Sequence, residues 1–83
     1  MEFERRAAKA LRRMPREGAG ALRAKLDAVA DAPFGPHTNV ERIEGVRDGF
    51  RVRHGDWRAL YVVDRERGVL RVERIGHRGE VYR

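Results

Sequence analysis

Cysteine is absent from the 83 residues, so neither disulfides nor thiolate chemistry is available, and the redox compartment is left open. Histidine is scarce and scattered. His37, His54 and His77 lack the paired spacing of metal ligands, which argues against a metal site. No apolar run approaches the ~20 residues of a membrane span, and the first residues, MEFERRAAKA, lack the apolar core of a secretory signal. The expectation is a cytoplasmic protein with no membrane partner and no cofactor. Lysine is nearly missing as well, present only at Lys9 and Lys25, although the net charge is +6. Arginine binds phosphate bidentately where lysine acts as a point charge, so this balance favours a nucleic-acid or acidic-protein partner. Codon bias in a GC-rich genome would give the same composition.

A chain this short buries only ~60% of its unfolded surface, which limits it to one domain over residues 1–83. Ala7, Ala10, Leu11 and Met14 recur at helical spacing among Arg5, Arg6, Lys9, Arg12 and Arg13, and Pro15 ends that helix. Residues 15–18 read as a tight connection. Leu22, Leu26 and Val29 then mark one face of a second helix running to about Asp31, giving an antiparallel helical hairpin. Pro33, Gly35 and Pro36 open a loop, and residues 40–44 read as a short strand.

From Gly49 the period changes to two. Phe50-Arg51-Val52-Arg53 alternates, Gly55-Asp56 is a two-residue hairpin signal with glycine first, and residues 57–63 continue in aromatic and β-branched types. This register pairs Arg53 with Arg58 and Arg51 with Leu60. Phe50, Val52, Trp57, Ala59, Tyr61 and Val63 then share one face, suited to cover by the helices, while Arg51, Arg53 and Arg58 share the other. Residues 64–68 make a turn and residues 69–75 a third strand, interrupted at Gly76-His77-Arg78-Gly79. Arg74 falls on the helix-facing side in this alternation.

Like charges directly opposite on paired strands destabilise by up to ~1 kcal/mol, so folding alone would not select Arg53 facing Arg58. A bound anion explains the pair; a solvated outer face, or cover by acidic residues such as Glu73, is the alternative. His77, Arg78 and Tyr82 add a titratable ring, a phosphate fork and a phenol, which are tools for phosphoryl transfer.

FRVRHGDWRALYVVD followed by VLRVERIGHRGEVYR, with the start MEFERRAAKALRRMP and the ERIEG before the sheet, resembles the RelE/ParE toxin superfamily, and the RelE-like branch above all. The resemblance covers essentially the whole chain. It implies an α+β fold: a short N-terminal strand, then an antiparallel helical hairpin packed on a mainly antiparallel, three- to four-stranded twisted sheet. It also implies a type II toxin neutralised by a cognate antitoxin, acting as a metal-independent endoribonuclease on ribosome-bound mRNA by attack of the 2′-hydroxyl on its own 3′ phosphate. By the same resemblance Arg51 and Arg53 grip the scissile phosphate, Arg58 stabilises the phosphorane, Arg78 is the basic residue after the last strand, and Tyr82 stacks on or donates to the substrate. Arg71 and Arg83 join Arg51 and Arg53 as expected RNA contacts.

The basic pair of such toxins often includes a lysine, whereas arginine cannot be deprotonated at working pH. His77 is the first choice for the base and Tyr82 the second, unless the ribosome alone orients the 2′-hydroxyl. A ParE-like toxin that binds gyrase and a non-catalytic basic module are the other readings.

Overall fold

The computed structural model describes residues 1–81. Along them run β1 (Glu2–Phe3), α1 (Arg5–Arg13), α2 (Arg16–Asp31), β2 (Val40–Arg42), β3 (Gly49–His54), β4 (Trp57–Asp64), β5 (Val69–His77) and α3 (Arg78–Val81). One sheet holds all five strands in the order β1-β5-β4-β3-β2. Its pairings are antiparallel except β1 with β5, where Glu2 lies beside Arg71 and Phe3 beside Val72. The α+β architecture is as expected, with one strand more. A two-residue β1 has no pattern of its own and exists because β5 offers it a free edge.

Only Met14 and Pro15 separate the helices, so the connection is shorter than residues 15–18. Pro15 is the N-cap of α2, where a missing N–H costs nothing, and its carbonyl accepts from the Ala19 N–H at 2.9 Å. Glu17 in the first turn suits the positive end of the helix dipole. Leu22, Leu26 and Val29 of α2 and Ala7 of α1 are buried against Val52, Ala59, Tyr61, Val72 and Ile75 of the sheet. This is the core, and it occupies one face of the sheet only.

The β3–β4 register is the expected one: His54 pairs with Trp57, Arg53 with Arg58, Val52 with Ala59 and Arg51 with Leu60. Gly55 has φ +59, which the first position of this tight turn requires. Between β4 and β5 the alternation breaks. Tyr61 pairs with Val72 but Leu60 pairs with Arg74, so Glu73 is the extra residue of a β-bulge. The bulge corrects the placement of Arg74. It turns Arg74 off the helix side, and on the open face its Nη2 donates to the Glu80 carbonyl at 3.3 Å.

β5 also continues through Gly76 and His77, where an interruption was expected. The chain then closes into α3, whose Val81 is buried. Gly76 lies opposite Arg58, and a Cβ there would meet Val81 Cγ2 at 3.1 Å and Glu80 Oε2 at 3.4 Å. Glycine is what lets α3 fold down on the open face beside Arg58.

Candidate functional site: an arginine cleft

On that open face lies a cleft of about 340 Å³ lined by Arg51, Arg53, Arg58, Arg78, Asn39, Glu41 and Gly79. Among the described residues, four cations face one carboxylate. β3 supplies Arg51 and Arg53, β4 supplies Arg58, and α3 supplies Arg78 and Gly79. Strand alternation puts the first three on one side, since each is two residues, or one ladder rung, from the next.

Arg58 forms the floor and is only 9% exposed. Its Nη1 donates to the Gly55 carbonyl at 2.7 Å and the Trp57 carbonyl at 2.8 Å, so the hairpin turn fixes the guanidinium. No carboxylate among the described residues pairs with it. A buried cation with neutral partners is costly, and an incoming anion would relieve that cost.

Arg53 is held at both ends of its residue. Its N–H donates to the Asn39 carbonyl at 2.9 Å, its Nη2 to Asn39 Oδ1 at 3.2 Å, and its own carbonyl accepts from Lys25 Nζ at 3.1 Å. Asn39 reaches this position with φ +63, a left-handed conformation that asparagine tolerates. Arg51 Nε lies 3.3 Å from Glu41 Oε2 on the neighbouring strand. Arg78 is positioned through its backbone, whose N–H donates to the Asp56 carbonyl at 2.9 Å and ties the start of α3 to the hairpin turn.

The structure therefore brings together Arg51, Arg53, Arg58 and Arg78. His77 does not join them. The bulge puts it across from Trp57 on the helix side of the sheet, with the two rings 4.4 Å apart. Arg71 lies away from the cleft, with Nη2 3.0 Å from Glu73 Oε2 and Nε 3.5 Å from Glu4 Oε1. The hydrogen bond and charge of Glu73 raise the Arg71 pKa. Tyr82 and Arg83 lie outside the described residues. Among those described, no three His, Asp or Glu side chains are grouped to hold a metal ion, and no helix is long and apolar enough to cross a membrane.

Asn39, Glu41, Lys25 and Gly79 were not expected at the site. The asparagine directly before Val40 was the one local signal, because it is the residue other than glycine that most readily takes a positive φ. Glu41 depends on the β2–β3 register, and Lys25 on how α2 crosses β3; neither has a local signature.

In solved structures the fold recurs. The isolated E. coli RelE toxin superposes with a TM-score of 0.82 at 28% identity, over 98% of this chain and 87% of that one. RelE in the intact E. coli RelBE toxin-antitoxin complex gives 0.80 at 26%, over 92% of each chain. The archaeal RelE-RelB complex from Pyrococcus horikoshii gives 0.78 at 25%, over 94% of this chain and 92% of that one. No curated protein matches the sequence. The family model for the ParE toxin of the type II toxin-antitoxin system parDE matches residues 1–82. The chain thus belongs to the ParE toxin family, within the RelE/ParE toxins of type II toxin-antitoxin systems.

Proposed function

We propose that the protein is a ribosome-dependent mRNA endoribonuclease whose arginine cleft receives the scissile phosphate. The observation that carries this reading is Arg58: a guanidinium 9% exposed, fixed by two backbone carbonyls, at the floor of a cleft that holds, among the described residues, three further arginines and one acid. Likeness to RelE at 28% identity supports the RelE-like branch.

In the proposed reaction the 2′-oxygen bonds to the adjacent 3′ phosphorus and the bond from phosphorus to the 5′-oxygen breaks. The products are a 2′,3′-cyclic phosphate and a 5′-hydroxyl. The 2′-hydroxyl proton leaves to water, and the 5′-oxygen takes one up from water. Arg51 and Arg53 hold the phosphate, and Arg58 and Arg78 stabilise the charge that grows on its oxygens in the phosphorane. No proton transfer is assigned to His77, which lies on the other side of the sheet. The arginines act electrostatically, and the ribosome orients the 2′-hydroxyl. Tyr82 keeps the stacking or donating role implied by resemblance.

The partner in this reading is a cognate antitoxin that lays an acidic segment over the arginine cleft, as solved RelBE relatives are toxin-antitoxin complexes. Its binding is expected to be salt-sensitive and to weaken on charge reversal at Arg51 or Arg53.

The test is cleavage of a defined mRNA on purified ribosomes. Wild-type chain is expected to cut it and folded Arg58→Ala to lose the activity; a fully active Arg58→Ala chain would refute the mechanism. The family model's description favours one second reading, a ParE-like toxin that binds gyrase. Intact mRNA together with gyrase-dependent DNA breaks would establish it instead.

A further inference from the structure

Beyond the cleft, a second basic surface is built around the only tryptophan of the chain, Trp57. A hollow of about 280 Å³ is lined by Arg6, Lys9, Arg13, Trp57, Ala10 and Glu80. The three cations recur at positions i, i+3 and i+7 of α1, hence on one helix face. α1 has no acidic residue in its first turn, yet Arg5 and Arg6 stand there, where the helix dipole disfavours cations. Arg13, in contrast, stands in the last turn, where the dipole favours a cation. Arg6 is tethered, its Nε donating to the Glu73 carbonyl at 3.1 Å.

Around the sheet end, α3 links the hollow to the arginine cleft through shared lining residues. A middle depression lined by Asp56, His77, Arg78, Gly79 and Glu80 shares Arg78 and Gly79 with the cleft and Glu80 with the hollow. At the join the exposed His77 ring lies against the half-buried Trp57 ring, 4.4 Å away at 52°. Cations beside exposed aromatic rings are the arrangement by which proteins bind a single strand, with phosphates on the charges and bases on the rings. Among the described residues, Asp56 and Glu80 are the only carboxylates of the middle depression and the hollow.

Resting on the RNA reading above, we propose that the strand leaving the cleft passes over Gly79 to a second subsite, where a base stacks on the His77–Trp57 rings and flanking phosphates meet Lys9 and Arg13. Because Trp57 is the sole indole, its fluorescence reports the event directly.

The experiment titrates the full chain with a nonanucleotide of 2′-O-methyl RNA, which cannot be cleaved, and follows both Trp57 emission and the anisotropy of the labelled strand. Emission is expected to fall in step with binding, in the wild type and in Arg58→Ala alike. In Lys9→Ala/Arg13→Ala the quenching is lost, and the slope of log affinity against log salt shrinks by about 1.4, two phosphates at about 0.7 each. His77→Ala, which removes an exposed ring without touching the core, weakens binding by about fivefold.

Bound RNA with unchanged emission overturns the subsite and leaves the cleavage reading intact. Loss of mRNA cleavage in the wild type with quenching retained does the reverse. An oligoglutamate that binds and quenches as well as RNA, or no RNA binding at low salt, also overturns the subsite.

Discussion

The two ends of β4 carry arginines in opposite circumstances. At the β5 end, Arg65 forms a two-pronged pair with Asp48 at 2.8 and 3.1 Å, and Arg67 one with Glu2 at 2.7 and 3.3 Å. Arg71 in the adjacent strand sits between Glu73 and Glu4. At the hairpin end, the only ion pair among the described cleft residues is Arg51 with Glu41. Arg58 and Arg53 are held there by carbonyl and amide oxygens instead. The same residue type therefore closes the fold at one end, where its charge is neutralised, and offers charge to a ligand at the other. A count of arginines, or a net charge of +6, cannot make that distinction.

The largest effect expected from breaking this contrast is on activity. Arg58→Met should lower mRNA cleavage about 10²- to 10³-fold, the usual cost of removing one donor to a developing anion. Its urea midpoint should stay level or rise, because a buried charge without a counter-charge is removed. Arg71→Met should do the opposite, keeping most cleavage while lowering the midpoint, since it strands Glu73 and Glu4. Exchange of these two phenotypes would break the comparison.

Next in size is Gly76→Ala. The added Cβ pushes on Val81 at 3.1 Å and so shifts α3, which carries Arg78. Cleavage is expected to fall about tenfold through misplacement of that guanidinium, and Trp57 emission to change slightly, because Glu80 of α3 lines the hollow beside that ring.

A control for what an orphaned polar atom means is Tyr61. Its hydroxyl is buried without a hydrogen-bond partner, and the residue is 0% exposed beneath the helices, so no ligand reaches it. Tyr61→Phe is therefore expected to stabilise the fold by about 1 kcal/mol without loss of activity. Burial raises the phenol pKa to about 12. Folding thus holds the proton more tightly than the unfolded chain does. The associated stability is complete below pH ~10 and is lost as pH rises towards about 12. Urea midpoints of Tyr61→Phe should lack this alkaline decline.

The smallest effect distinguishes the paired end by acid. The hydrogen bond from Arg67 lowers the Glu2 pKa, and that from Arg65 lowers the Asp48 pKa. Depressed carboxylates stabilise above their ordinary range, about 4, and that stability is lost as pH falls through the lowered values. The urea midpoint should decline below about pH 4.5, less steeply in Arg65→Ala/Arg67→Ala, and as steeply as wild type in Arg53→Ala. An unchanged slope in the double variant would show that these surface pairs contribute nothing.

Much of the sheet was legible because its information is local. Gly55-Asp56 fixes the hairpin, and the alternation from Phe50 to Val63 fixes which face each residue takes. The β-bulge left a trace that simple alternation overlooks: Leu70, Val72 and Ile75 are spaced by two and then three, a change of phase at Glu73. That one extra residue moves Arg74 to the open face and His77 away from the cleft, so the expected base and the arginines part company. α3 could not be read either, since a four-residue helix lies below the length at which periodicity speaks.

The sequence by itself determined the two helices, the β3–β4 hairpin and the convergence of Arg51, Arg53 and Arg58, because turn chemistry and period-two alternation act between near neighbours. Only the tertiary structure decided which arginines are neutralised, since their partners Glu2, Glu4, Asp48 and Glu73 arrive through β1, the loop before β3 and the bulge. Cross-strand and crossover contacts set that charge balance, and no single stretch of the chain encodes them.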